Sequence, residues 1–556
     1  MLFRTSIATP YYVTFILFST LVPQSTGLNV LFVNIGYASH VTSAFELAKA
    51  MKNHNITFLT HQLAKSYIDL DSVSSPLFRT IYPNDSADAS SYEKNLEQSI
   101  FRCLANQSLL EALPKALLTL GDAITQLLNK TVHILMSDRF DVIIAGETVK
   151  GMPILCEKIQ TPCVIHTLVA YPDFFDLNIP HRLSFLAPKQ LTQLSYRLYN
   201  AIFNIRFAIK MIPKMIPTFY TIFQSLPQIP GPFYDSFTVK NLLSSKSKCL
   251  YLVSKPPTFD TPTYSNHYIK YLGVFIEETS VVDPNDTLAA WIKPKQISSI
   301  LFGSFGSSSL IPYNRMYNLM SGLGKFLLQT ADTFLLLALR NANYDTYKAV
   351  LKDLSDNEIR SILENKQRVW IEKGFVKQKW ILEQKSIKVF LSHCGMGSLS
   401  EGLYFGKPIL CMPFSSEQFS NGVTIKNRNV GQTLFEPPSL TENLRNPYDV
   451  VHYIFTAESV TSKIFDLWTN VACEKAVREM SLEMKHAGGV KRAVEEIEFF
   501  VNLGGDLDRF TPFQNTLPFY QRYMLDLLLV FVILPGVIIT CIVSKCCKRQ
   551  QKTKIE

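Results

Sequence analysis

The sequence predicts an α/β protein, two Rossmann-like domains followed by a single membrane-crossing helix. Three stretches predict it. Residues 387–412 read strand, small-residue turn, helix, strand, which is a βαβ unit. Residues 28–59 repeat that order near the N-terminus. Residues 527–543 are seventeen uncharged apolar residues, followed by a Lys/Arg cluster.

The chain has 556 residues, room for two or three domains and ample core. Arg4, an apolar run from Tyr11 to Val22 and Pro23-Gln24-Ser25-Thr26-Gly27 read as a signal peptide over 1–27. Leu28–Asn34 is then a strand, Ile35–His40 a tight turn, Val41–Met51 a helix and Ile56–Leu59 the second strand. Residues 60–130 alternate polar loops with helical stretches. Phe140–Ala145 is a buried strand with Gly146-Glu147-Thr148 at its C-terminal end, and Cys163–His166 is the next.

From Leu177 to Tyr234 there is no Asp or Glu but six Lys or Arg, with Arg206 and Lys210 one helical turn apart. Two readings stand for this stretch: a helix lying on anionic lipid, or a core helix, in either case cut short by Pro213 and Pro217. Val253-Ser254 and Tyr271–Val274 close a first domain over 28–276, and 277–290 is polar and reads as a linker. The second domain, 291–505, opens with Ser298–Phe302 and the turn Gly303-Ser304-Phe305-Gly306-Ser307, which lacks the lysine of a P-loop. Phe334–Leu339 and Arg368–Trp370 are further strands, and after Asn429 the pattern is helical to about Leu503.

The chemistry concentrates where Ile387–Leu391 runs into Ser392-His393-Cys394-Gly395-Met396-Gly397-Ser398. A helix starting on such a turn offers free N–H groups to a phosphate. Gly395 to Ser400 is nearly the G-x-G-x-x-G of dinucleotide folds, but the third glycine is missing, so a dinucleotide-dependent oxidoreductase is the weaker reading. The longer pattern is Phe375-x-x-Gln378-x-x-Ile381-Leu382, then Phe390–Gly395, then Glu401, Pro408, Pro413 and Glu417-Gln418. It resembles the signature of the membrane-anchored UDP-glycosyltransferases, the glucuronosyl and glucosyl transferases.

That resemblance implies two facing Rossmann-like domains of the GT-B type. It implies that Phe375 stacks on uracil and that Gln378 reaches the base and ribose. His393 and Ser398, with nearby backbone N–H groups around Gly395 and Gly397, would hold the diphosphate, and Ser307 is the matching hydroxyl of a turn that faces the nucleotide. Glu401 would pair with the ribose hydroxyls, and Glu417 and Gln418 with those of the sugar. His40 would be the base that deprotonates the acceptor. The family's partner acid falls at Gly146 here, so Glu147, one residue on, is the substitute. The implied reaction is inverting transfer of a hexosyl group, glucuronosyl or glucosyl, to a hydroxyl of an apolar small molecule or lipid. The alternative is a UDP-sugar-binding relative without catalysis, motivated by Phe375, Glu417 and the displaced acid.

Tyr520 and Tyr523 before the apolar run and Lys545, Lys548 and Arg549 after it predict a membrane helix over 524–544 and a cytosolic tail over 545–556. Lys552 and Lys554 form K-x-K-x-x at the C-terminus, a retrieval signal of the endoplasmic reticulum membrane. The body is then luminal, as sequons at Asn55, Asn84, Asn106, Asn129 and Asn285 suggest. Seven scattered cysteines before the span make no disulfide framework, and Cys394 reads as merely small. His393 beside Cys394 is not metal-ligand spacing, so no metal or other cofactor is expected. The net charge of +9 lies partly in the tail, and no basic, aromatic-interleaved motif indicates nucleic acid. The expected partners are therefore UDP-sugar, an apolar acceptor and a membrane, with homo-oligomer formation left open.

Overall fold

The computed structural model describes residues 27–35, 38–66, 68–73, 75–83, 109–149, 151–168, 177, 179–225, 249–259, 267–276, 286–306, 309–414, 417–445, 453–511, 513 and 517–552. The signal peptide, Ser307, Lys554 and the sequons at Asn84, Asn106 and Asn285 lie outside them.

The first domain runs β1 (Asn29–Asn34), α1 (Ala38–Ala50), β2 (Asn55–Thr60), β3 (Phe78–Ile81), α2 (Leu109–Ser137), β4 (Val142–Gly146), α3 (Met152–Ile159), β5 (Cys163–Thr167), α4 (Leu194–Ser225), β6 (Leu250–Val253) and β7 (Ile269–Tyr271). The second begins with α5 (Thr287–Ile292), β8 (Ile300–Ser304), α6 (Tyr313–Leu328), β9 (Phe334–Leu339), α7 (Asn341–Asp353), α8 (Asn357–Glu364), β10 (Val369–Lys373) and α9 (Gln378–Glu383). It continues with β11 (Ile387–Ser392), α10 (Met396–Tyr404), β12 (Ile409–Cys411), α11 (Glu417–Asn427), β13 (Gly431–Thr433) and α12 (Leu440–Arg445). Helices α13 (Ala457–Thr469), α14 (Val471–His486) and α15 (Gly489–Asn502) end the globular part.

Both sheets are wound the same way. The first has the order β3-β2-β1-β4-β5-β6-β7 and the second β10-β9-β8-β11-β12-β13. Helices cover both faces of a parallel sheet, so its central strands are continuous apolar runs rather than alternating ones. Strands β4, β5 and β8 are buried at every residue, and β1 from Val30 onward. In each sheet the order reverses beside one strand. Val30 pairs with Ile56 on one side and Val142 on the other, and Phe302 of β8 pairs with Leu336 and Phe390. Connections leave a reversal in opposite directions and open a crevice at the strands' C-terminal ends, where ligands bind.

Several expectations change. A short strand, β13, lies where only helix was expected, because it pairs with β12 rather than carrying a long apolar run of its own. Helix α5 starts inside the expected linker. Helix α4 passes through Pro213 and Pro217. The donors these remove would have served the carbonyls of Ile209 and Pro213, which are exposed residues. The last helix of the second domain's sequence, α15, packs on α1 of the first. Glu498 reaches His54 Nε2 at 3.0 Å, Glu496 reaches Lys270 Nζ at 3.2 Å, and Gly489 N donates to Leu272 O.

Residues 264–269 and 506–556 form a compact unit of their own. It contains a helix, Leu525–Lys545, of mean hydropathy 2.9 and with none of its apolar window buried, long and apolar enough to cross a membrane.

The two domains also meet through α1 and α9. Lys379 Nζ on α9 lies 2.7 Å from Glu46 Oε1 on α1, and Lys49 lies 3.1 Å from the other oxygen of Glu46. Burial pushes the Glu46 carboxyl up, but Lys379 and Lys49 outweigh it and hold it below its usual range. Their stabilisation is therefore present above the ordinary carboxylate pKa and is lost as pH falls through the lowered one. Lys379→Met should cost up to about 3 kcal/mol at neutral pH, because it leaves a largely buried carboxylate with Lys49 as its remaining cation. Adding Glu46→Gln should recover part of the loss. Thermal unfolding of wild type, single and double variants at pH 7 checks both, and an unchanged single variant would show that the bridge holds nothing.

Candidate active site

Residues at the two crevices face each other across the contact between α1 and α10. Gly397 enforces it: a Cβ there would sit 2.3 Å from Cβ of Ser39. The residue after Ser39 is His40. So the first turn of α1 carries the histidine while its neighbour touches the helix that opens the second crevice.

On the first side, Glu147 follows β4 at the sheet reversal. Its Oε1 lies 3.6 Å from His40 Nδ1, and Oε2 accepts a hydrogen bond from Thr167 Oγ1 at the end of β5. Its backbone N donates to His166 O. Burial pulls the His40 pKa down to about 4, against the upward pull of the Glu417 carboxylate. His40 is thus neutral at pH 7, as an acceptor of protons must be. Gly146, which precedes Glu147, has no positive φ. A Cβ there would lie 2.9 Å from Oδ1 of buried Asn34, so the glycine makes room for that amide. The Asn34 Oδ1 has no partner, and nothing in the sequence flagged it.

On the second side, β11 ends at Ser392 and Cys394 turns with φ +60° before Gly395 caps α10. His393 is wedged between glycines. A Cβ at Gly306 would lie 2.6 Å from its Cε1, and one at Gly395 would lie 2.5 Å from its Nε2. Burial holds its pKa at about 4, and Nδ1 is buried without a partner. An uncharged imidazole with an unmet polar atom beside a helix N-terminus suits an anion, whose arrival would raise that pKa.

Cys394 corrects an expectation, since it is joined to Cys411. Parallel pairing sets Ser392 opposite Cys411 and brings the two cysteine Cα atoms to 5.5 Å. Asn421 Nδ2 donates to Cys394 O and fastens the turn to α11.

Gln378, Ser398 and Glu401 form one cluster. Gln378 Nε2 donates to Ser398 Oγ at 3.2 Å and to Glu401 Oε2 at 2.8 Å. Burial pushes the Glu401 carboxyl up, with Lys379 opposing. The Phe375 ring is 48% exposed, and Arg340 stacks on it at 4.2 Å. Sequence reasoning missed Arg340, although it follows β9, at the strand end where such sheets bind ligands. Glu417 opens α11 and is raised by burial, with His40 and Arg182 among the neighbours that oppose the rise. Gln418 is buried, and its Oε1 accepts from Phe414 N at 2.9 Å, so part of that side chain serves the loop itself.

Residues 361–556 match the family described as UDP-glucoronosyl and UDP-glucosyl transferase. A flavanone 7-O-glucoside 2''-O-β-L-rhamnosyltransferase of Citrus maxima is 30% identical over 173 residues, 31% of this chain and 37% of that one. A UDP-glycosyltransferase of Talaromyces amestolkiae is 27% identical over 191 residues, 33% of this chain and 32% of that one. The matched stretch thus spans about a third of these relatives' length. The fold match is longer. The glycosyltransferase of kitacinnamycin has a TM-score of 0.53 at 14% identity, covering 85% of this chain and 98% of that one. A UDP-glucosyltransferase from Polygonum tinctorium has a TM-score of 0.51 at 14% identity, covering 87% and 100%. Residues 361–556 thus match the UDP-glycosyltransferase family in sequence, and over most of its length the chain shares the GT-B fold of these solved structures.

Proposed function

We propose that the protein is an inverting UDP-glycosyltransferase of the endoplasmic reticulum membrane. It moves a glucuronosyl or glucosyl group from UDP-sugar to a hydroxyl of an apolar small molecule or lipid. The observation that carries this is the meeting of two crevices, with His40 and Glu147 at one and the His393 turn at the other. The Polygonum tinctorium enzyme is described as glucosylating indoxyl and is held with 3,4-dichloroaniline, both small and aromatic, which supports the acceptor class.

In this reading uracil stacks on Phe375, opposite Arg340, and the ribose hydroxyls pair with Glu401. The diphosphate lies on His393, Ser398 and the N–H groups of α10. Glu417 and Gln418 face the sugar. His40 Nδ1 is turned to Glu147, so Nε2 takes the acceptor's hydroxyl proton. The acceptor oxygen bonds to the anomeric carbon as the bond from that carbon to the β-phosphate oxygen breaks. The electron pair leaves with UDP, and the α10 N–H groups meet the charge that develops. Glu147 orients the imidazole and stabilises the imidazolium formed. The 3.6 Å gap favours a second reading, a UDP-sugar binder without catalysis, unless the pair tightens when substrate is bound.

Four outcomes test this. Glu401→Ala should weaken UDP binding by roughly 1.5–3 kcal/mol, since it unpairs both the diol and Gln378; unchanged affinity by calorimetry rejects the placement. With the best donor, His40→Ala should abolish transfer and Glu147→Gln should slow it strongly. The acid limb of kcat/KM should fall near pH 4, because the base works only when deprotonated and burial has lowered its pKa. Glu147→Gln equal to wild type would remove Glu147 from the mechanism, and UDP binding without any transfer would favour the second reading. Replacing Lys552 and Lys554 by serine should release the protein to later compartments; unchanged location and glycans would show that the tail does not retain it.

A further inference from the structure

Helix α4 has two unlike faces. Its inner face is fully used. Phe203 is buried, Asn200 Nδ2 donates to Leu177 O and Ile179 O, and the Tyr199 hydroxyl accepts from Asn443 Nδ2 on α12. The helix is therefore fixed in place, and its outer face is not a core surface awaiting repacking.

That outer face is a row of Leu198, Ile202, Ile205, Ile209, Ile212 and Ile216. The spacing of three and four residues puts all six within one narrow stripe of the helix. Each is between 39% and 67% exposed. Single exposed apolar residues are ordinary; a continuous row several turns long marks an interaction surface.

Charge decides what covers it. Residues 177–234 contain six Lys or Arg and no Asp or Glu, and exposed Arg206 borders the stripe. A second copy would set this basic segment against itself if the pair were two-fold symmetric. An anionic surface with an apolar interior suits both features. The same chain carries a helix able to cross a bilayer, so lipid is the expected surrounding.

We propose that the outer face of α4 lies on the anionic surface of a lipid bilayer. The apolar stripe sits at the boundary of headgroups and acyl chains, and Arg206 reaches the phosphates. This holds whether or not the protein transfers sugar.

The test uses the full chain in phosphatidylcholine–phosphatidylserine vesicles. The native tryptophans, Trp291, Trp370, Trp380 and Trp468, all lie in the second domain and give the baseline. Ile209→Trp adds a probe at a position that is 67% exposed, where the fold tolerates it; Ile205→Trp, at 59%, is the substitute. The added emission should be blue-shifted and quenched when the lipids carry brominated chains. Arg206→Glu, or omission of phosphatidylserine, should reduce the quenching. Added emission that brominated lipid leaves untouched overturns the proposal. If it is blue-shifted yet unquenched, the face is covered by protein, a second copy included.

Discussion

The site depends on one close approach, the backbone of Gly397 against Ser39. Each crevice would exist without it, since each follows from the reversal of strand order in its own sheet. What the approach adds is registry between them. Helix α1 begins with the residue that touches α10 and the histidine that faces Glu147, and one face further along holds Glu46 against Lys379. A side chain at position 397 would push these apart. Because catalysis between two domains depends on alignment to within about an ångström, so small a steric change reaches the chemistry. Helix α15, folded back on α1, ties the same helix from behind.

Burial sets the electrostatics at both crevices. His40 and His393 are each held uncharged near neutral pH because the fold strips their water. The consequences differ with their neighbours. His40 has carboxylates at hand, Glu147 and Glu417, able to stabilise the positive form once a proton arrives. His393 has glycines on two sides and an unmet Nδ1, so an arriving anion would complete its surroundings. Under the proposed function, two similar imidazoles would serve two tasks, proton transfer and anion contact.

Much of this was legible in the sequence because parallel strands buried on both faces are continuous apolar runs. Phe334–Leu339 was placed residue for residue, and the other expected strands moved by one to three residues at their ends. What was not legible depended on neighbours distant in the chain. Strand β13 has only three residues and exists because β12 offers an edge. The contact of Cys394 with Cys411 follows from strand register, which cysteine spacing does not reveal. Gly146 makes room for Asn34, a packing fact that the sequence does not show. Arg340 behind Phe375 was overlooked because an arginine after a strand carries no motif. The acid-free basic stretch left two readings open; its inner face packs as a core helix would, and its outer stripe is exposed.

The central claim is that the paired crevices transfer a sugar. The most direct measurement incubates the purified full chain with UDP-glucose, UDP-glucuronate, UDP-galactose, UDP-xylose and UDP-N-acetylglucosamine in turn. Each is given a mixture of apolar hydroxyl acceptors, and UDP and glycoside are followed together by mass spectrometry. The account predicts that at least one donor yields a glycoside and UDP in equal amounts, with the anomeric configuration inverted. A protein that binds UDP tightly yet forms no glycoside from any donor, or that forms one with retained configuration, would contradict it.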